Sequence, residues 1–243
     1  CAITKNYMLV FDLSVVFDLY KLGRGYFPFS WDDNHQSRIG LLSRNGDSNE
    51  VKWFEIDRTY FFHTFNAHED ANGNVIVTAA AYGRLFDTDW NGPFTESPPQ
   101  LTKWELNTKS GQATSTRLDD RSVEFPRINP SLVGKSNQYA YALASSNTIE
   151  PDFKEIVKYD FKNDTSEVYE YGFGKFGAEP VFVAAEGAKS EDEGYLLSLV
   201  YNQETDKSDL IILNAKEPKS GPLATVHLPQ RVPHGFHGEW IKI

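Results

Sequence analysis

Six histidines are the side chains in this sequence best suited to hold a metal or carry protons, and strand geometry sorts them. In the run Tyr60-Phe61-Phe62-His63-Thr64-Phe65-Asn66-Ala67-His68-Glu69-Asp70, His63 and His68 lie five residues apart. On a regular strand an odd offset puts them on opposite faces, so they would not share one metal. The neighbours of His63 on its own face would be Phe61, Phe65 and Ala67, an apolar wall. His68 sits at the acidic end of the run, beside the Asn72-Gly73 turn, and reads as solvated. The same parity separates His234 from His237, where Gly235 and Gly238 leave room for close backbone approach. A histidine on an apolar wall is either a satisfied core residue or a ligand, and spacing alone leaves both readings open.

Two carboxylates stand in apolar or proline-bounded company: Glu124 in Val-Glu-Phe-Pro-Arg and Glu179 in Ala-Glu-Pro-Val-Phe-Val. An unpaired charge there would be costly. One reading has each accept a hydrogen bond from the remote N–H of a metal-bound imidazole, which fixes its tautomer and orientation. The other has each in an ordinary buried ion pair, with Arg127 the candidate partner of Glu124.

The elements that must position these groups read as strands. Short β-rich runs span Ile3–Leu13, Arg38–Ser43, Val51–Ile56, Tyr60–Ala67, Asn74–Tyr82, Leu101–Leu106, Ala113–Leu118 and Gln138–Ala144. Others span Ile156–Phe161, Glu167–Tyr171, Glu179–Ala184, Gly194–Tyr201, Asp209–Leu213, Leu223–Leu228 and Phe236–Ile243. Asn72-Gly73, Ser110-Gly111 and Asn163-Asp164 supply hairpin turns. No amphipathic helix longer than two turns is evident. Many short strands at roughly 8–12-residue spacing indicate a sandwich, barrel or propeller. A weak repeat favours the propeller: the segments around Leu42, Leu106, Phe161 and Leu213 share a strand–turn–strand template. It recurs roughly every 50–65 residues, the scale of one four-stranded blade.

Composition narrows the function classes. The formal net charge of -10 argues against a nucleic-acid binder, which needs a basic stripe to meet phosphates. One cysteine allows no internal disulfide and fits a reducing cytosol. No apolar stretch approaches the roughly 20 residues of a transmembrane helix. The start has no secretory-signal pattern and no initiator methionine, so the chain reads as an excised piece.

Seven segments in order, AITKNY, FHTFNAHED, EFPRINPSLVG, AEPVFV, DEGYLLSLVYN, SDLIILNA and LPQRVPHGFHGEW, resemble the C-terminal half of the carotenoid cleavage oxygenase family. The resemblance runs from Ala2 to Trp240. It implies an all-β, seven-bladed β-propeller of which residues 1–243, as a single domain, form about four C-terminal blades. It implies Fe(II) on the axis, held by four histidines from different blades. His63 in FHTFNA matches the third ligand and His237 in GFHG the fourth. Glu124 in EFP and Glu179 in AEP match glutamates that orient ligand imidazoles. The remaining two ligands would lie upstream of residue 1. His68 stands where many relatives have Tyr and is not counted as a ligand.

The implied activity is oxidative cleavage of a C=C bond in a carotenoid, apocarotenoid or stilbene by O2, giving two carbonyl products. The partners would be a lipophilic substrate and O2. Phe61, Phe65 and Phe236 are candidates for the lining of a dry substrate tunnel. The aromatic segment Val15–Trp31 would form either an apolar rim that touches membrane at the tunnel mouth or core packing on the propeller. The protein would be cytoplasmic or membrane-peripheral. Alternatives are an inactive isolated piece, a non-catalytic propeller that serves as a binding module, and an iron-dependent isomerase of the same family. Substrate, scissile bond and oligomeric state are not legible in the sequence.

Overall fold

The structure, a computed structural model, describes residues 1–90, 96–145, 152–233 and 237–242, with the Ser48 side chain set aside. It is all-β: the helical content of the described residues is one short α-helix and three 3-10 turns. The chain divides into two compact units, one built on Cys1–Ser122 with Val133–Ser136, the other on Val123–Leu132, Asn137–Ser146 and Asp152–Ile243.

The first unit holds β1 (Ala2–Ile3), β2 (Tyr7–Asp12), β3 (Val15–Phe17), α1 (Leu19–Leu22), β4 (Phe29–Trp31), β5 (Arg38–Ser43) and β6 (Lys52–Glu55). It continues with β7 (Thr64–Glu69), β8 (Val75–Ala81), β9 (Gln100–Leu106) and the first part of β10 (Ala113–Arg127). Strands β1-β2-β5-β6 form one antiparallel meander, from which the β3–β4 hairpin departs between β2 and β5. Strands β7 to β10 form a second meander. Alternation explains the core: Leu9, Ile39, Leu41 and Phe54 from the first meander pack with Val75, Val77, Ala79, Trp104 and Leu106 from the second. Burying each Val, Leu, Ile or Phe among these contributes roughly 1.5–3 kcal/mol. Gly40 sits mid-strand because a Cβ there would come within 2.7 Å of Val51 and 2.9 Å of Trp53. Glu69 at the end of β7 ties the meanders together, accepting from Thr4 Oγ1 (2.6 Å), the Asn6 backbone N–H (2.8 Å) and Asn6 Nδ2 (2.6 Å).

The second unit takes the rest of β10, then β11 (Tyr139–Ser145), β12 (Glu155–Asp160), β13 (Thr165–Glu170), β14 (Lys175–Gly177), β15 (Val181–Ala184), β16 (Gly194–Asn202), β17 (Lys207–Asn214) and β18 (Pro222–His227). β10 through β13 run as a meander, while β16-β17-β18 form another with β14 and β15 both paired to β16. Tyr141, Ile156, Phe182, Leu196, Ile211 and Leu213 fill its core. Buried at its edge, Lys158 Nζ donates to Asp192 Oδ2 and to the Lys216 carbonyl, each at 2.8 Å. It also lies 4.3 Å from the Tyr139 ring centroid.

The hairpins close by one device. Asp70 Oδ1 accepts from the backbone of Asn72 and Asn74, Asn107 Oδ1 from Lys109 and Ser110, and Asp160 Oδ1 from Lys162 and Asn163. A left-handed residue closes each: Gly73 (φ 81°), Gly111 (φ 77°) and Asp164 (φ 53°).

Several expectations shift. The run expected over Ile3–Leu13 is two strands, because Thr4 N–H bonds the Tyr7 carbonyl and closes a turn. β10 outruns the expected Leu118 by nine residues. The C-terminal strand expected over Phe236–Ile243 is not formed by its described residues, 237–242. The segment Val15–Trp31 folds as β3, α1 and β4, with Asp18 capping α1 by accepting from the backbone of Tyr20 and Lys21. Buried Lys21 pins this lobe, donating to the Phe29 (2.9 Å) and Phe86 (2.7 Å) carbonyls. Phe17, Leu19, Tyr20, Leu22, Tyr26 and Phe27 stay exposed, Leu19 to 73%.

Candidate metal and substrate site

His63 directly precedes β7, and the ladder around it is not regular. Tyr60 pairs with Tyr82, Thr64 with Ala79 and Asn66 with Thr78. Four residues therefore oppose three, and then two oppose one: two bulges within seven residues. The Ala80 N–H donates to the His63 carbonyl at 3.1 Å, which puts His63 opposite Ala80. His68 lies opposite Ile76. Positions 80 and 76 share a face of β8, so the bulges undo the parity argument that set the two histidines apart. They also take His63 off the face of Ala67, which points into the core with Val77. His68 is half-buried rather than solvated, and burial holds its imidazole below the usual range.

Phe61 is buried against Phe11 (centroids 4.8 Å) and Trp104 (5.5 Å), and Phe65 is buried as well. Phe62, which alternation does not select, is 41% exposed. It lines a cleft of about 320 Å³ whose other walls include Val15, Val16, Tyr60, Thr64, Asp12 and His35. Phe61 also borders this cleft. Phe236 and His234 lie outside the described residues.

The second unit contains the most organised polar cluster near a candidate ligand. The Glu179 side chain is 5% exposed. Its Oε1 lies 3.2 Å from His237 Nδ1. Its Oε2 accepts from Arg127 Nη2 at 2.8 Å and from the Gly238 backbone N–H at 2.9 Å. Arg127 also donates to the Gly238 carbonyl and, at 3.3 Å, to Glu239 Oε2. Burial works against the Arg127 charge, but Glu179 and Glu239 outweigh it and hold its guanidinium above the ordinary range. The cation expected beside Glu124 is thus committed to Glu179, 52 positions away. The His237 side chain as a whole is 54% exposed.

Glu124 is buried on β10, and its Oε2 accepts from the next residue's backbone N–H at 2.8 Å. That neighbour, Phe125, has φ 53°, a left-handed conformation that costs a bulky L-residue roughly 1–2 kcal/mol. The turn-out places the Phe125 ring edge-on to the His237 imidazole, centroids 5.9 Å apart at 70°. Strain of this kind persists only where its surroundings over-determine it. Glu179 thus lies directly against His237, while Glu124 accepts from the backbone of Phe125, whose ring packs on that imidazole. Among the described residues no group of three or more His, Cys, Asp or Glu gathers closely enough to hold a metal alone.

Known proteins share this arrangement of strands. The family model described as retinal pigment epithelial membrane protein matches residues 1–242. The chain is 35% identical over 225 residues to a carotenoid cleavage oxygenase of Mycobacterium tuberculosis, covering 88% of this chain and 44% of the relative. It is 33% identical over 265 residues to a carotenoid 9,10(9',10')-cleavage dioxygenase of Crocus sativus, covering 99% and 47%. Among solved structures, cobalt-substituted Synechocystis ACO superposes with TM-score 0.90 at 26% identity, covering all of this chain and 52% of that one. The chain therefore spans about half the length of the curated relatives it matches.

Proposed function

Since the chain belongs to the family of the carotenoid cleavage oxygenases, we propose that the protein carrying it cleaves a C=C bond of a carotenoid or apocarotenoid with O2. Each olefinic carbon takes one oxygen atom, and two carbonyl products form. The observation that carries the reading within this chain is the Glu179–His237 contact. A carboxylate on Nδ1 fixes the tautomer that leaves Nε2 as the metal-binding atom. The donor chemistry fits Fe(II): His237 and His63 are the imidazoles that would hold it. Glu179 and Glu124 would supply negative charge beside a cation that neutral ligands leave at +2. When bound, the iron would supply the activation of O2 that an organic side chain cannot.

In this reading the four meanders are blades of a seven-bladed propeller, and the ligand histidines reach the axis from separate blades. The chain's own residues do the positioning. Phe125 packs on the His237 ring, and Arg127 holds the 238–239 backbone against Glu179. In the cleft beside Tyr60, Phe61 and Phe62 present apolar surface to the substrate. Phe62 takes the tunnel-lining role, because Phe65 is committed to the core. A stilbene would fit the same chemistry.

The exposed Phe17, Leu19, Leu22 and Phe27 lobe would rest on a membrane surface from which a lipophilic substrate enters. Phe27 packs on Phe29 and on buried Phe86, so Leu19→Ser and Leu22→Ser, at exposed positions, test the contact without opening the core. Co-sedimentation of the complete protein with liposomes should fall several-fold in the double variant, and unchanged recovery discards the membrane reading. The activity is tested by iron content and by aldehyde products from a panel of polyenes. An iron-loaded protein that consumes O2 with no polyene and forms no carbonyl product refutes the proposal.

A further inference from the structure

The Phe62 cleft is not uniformly apolar. Asp12, at the end of β2, and His35 both line it. Asp12 Oδ1 lies 2.6 Å from His35 Nε2, and Arg38 Nε donates to Oδ2 at 2.7 Å. Partial burial works against the Asp12 charge, but Arg38 and His35 outweigh it and keep the carboxyl below the usual range. The carboxylate has lone pairs beyond these two bonds. Tyr60, a part-buried residue, also lines the cleft, and its hydroxyl makes no hydrogen bond among the described residues. Burial raises its pKa, so it stays a neutral donor. The Thr64 hydroxyl is likewise without a described partner. Val15, Val16, Phe61 and Phe62 supply the apolar walls.

We infer that this cleft is a specificity subsite for the hydroxylated end ring of a polyene. Asp12, held by His35 and Arg38, accepts from the ring hydroxyl, and Tyr60 donates to it. The inference rests on the polyene-cleaving reading and names which polyenes are preferred. The cleft, about 320 Å³ and partly open, takes one end of such a molecule. A whole polyene would extend beyond it. An unsubstituted ring would leave the carboxylate and phenol facing hydrocarbon, a mismatch that polar sites reject strongly.

The test compares two long polyene aldehydes identical except for one ring hydroxyl, bound to the complete protein without O2 so that no turnover intervenes. Affinity is read from quenching of tryptophan emission. The native protein should bind the hydroxylated aldehyde at least about tenfold more tightly, the scale of one hydrogen bond to a charged group. In Asp12→Asn, and in Tyr60→Phe, that preference should fall several-fold while affinity for the unsubstituted aldehyde holds within threefold. His35→Gln, which can still hydrogen-bond Asp12, should keep most of it. Equal affinities in the native protein, or an undiminished preference in both Asp12→Asn and Tyr60→Phe, overturns the subsite. Failure of both aldehydes to bind overturns the polyene reading itself. A variant that weakens both aldehydes alike has lost the cleft, and the other variant then decides.

Discussion

Replacing Glu179 by Gln preserves shape and removes one charge, and the surrounding geometry determines how the cluster responds. Three donors converge on this carboxylate: Gly238 N–H at 2.9 Å and Arg127 Nη2 at 2.8 Å on one oxygen, His237 Nδ1 at 3.2 Å on the other. A carboxamide has one acceptor oxygen, and its NH2 must oppose at least one donor. The better orientation leaves the oxygen to Gly238 and Arg127 and turns the NH2 toward His237. The imidazole then answers by accepting at Nδ1 and carrying its proton on Nε2, the tautomer that cannot ligate a metal. The Arg127 bond persists, but its acceptor is now neutral, and losing that buried counter-charge should cost about 1.5–3 kcal/mol of stability. At roughly 2–4 °C per kcal/mol for a chain of this size, the melting midpoint should fall by about 3–12 °C. Metal affinity should fall about 10–100-fold. Anaerobic titration of the complete protein with Co(II), monitored spectroscopically, measures that loss. Arg127→Met is the control: it loosens residues 238–239 but keeps the carboxylate at position 179, so it should lower metal affinity clearly less than Glu179→Gln. The tautomer argument is refuted if Arg127→Met lowers affinity as much as Glu179→Gln, or if Glu179→Gln binds like the native protein.

Two further outcomes concern the fold. Lys158 and Asp192 have side chains only 7% and 5% exposed, so Lys158→Met strands a buried carboxylate. It should cost about 3–5 kcal/mol in denaturant unfolding, whereas Lys158→Met with Asp192→Leu should recover most of the loss; a single variant within about 1 kcal/mol of native contradicts this. Burial works against the Glu69 charge, but Thr4 and Asn6 outweigh it and hold its carboxyl below the usual range. A depressed acid contributes stability that is complete above its unfolded value, near 4.5, and is lost as pH falls through the lower native value. Stability measured from about pH 6 to about pH 3 should therefore fall less steeply in Glu69→Gln than in the native chain.

Period-two alternation makes the strands of both units readable. Arg38–Ser43 matches β5 at both ends, and Asn74–Tyr82 and Gly194–Tyr201 differ from their strands by a residue or so. The Asx-plus-left-handed turns are equally plain, since Asn72-Gly73 and Ser110-Gly111 are local signals. Non-local and irregular features escape. The two bulges between Tyr60 and Asn66 leave no mark in residue types, so parity assigns the wrong face to His63 and selects Phe65 over Phe62. The strand expected to end at Leu118 in fact runs through Pro126 to Arg127, as a turned-out Phe125 accommodates the proline. The short β3, β4 and β14 are too brief to alternate. Proximity in sequence pairs Arg127 with Glu124, because nothing in a one-dimensional string shows that β10 passes beside residues 179 and 238. The Asp12–His35–Arg38 group escapes for the same reason: its members come from separate strands and a turn.

The Glu179 cluster has a consequence for the order in which the protein becomes itself. A ribosome delivers Arg127 first, Glu179 some fifty residues later, and the 237–239 segment after almost sixty more. Until that last stretch emerges, Arg127 and Glu179 can satisfy each other, so the half-made chain carries a neutral, waiting clasp instead of two stray ions. The imidazole then arrives at a carboxylate already aimed, and competence of this corner of the molecule waits on the last of its three parts to be translated.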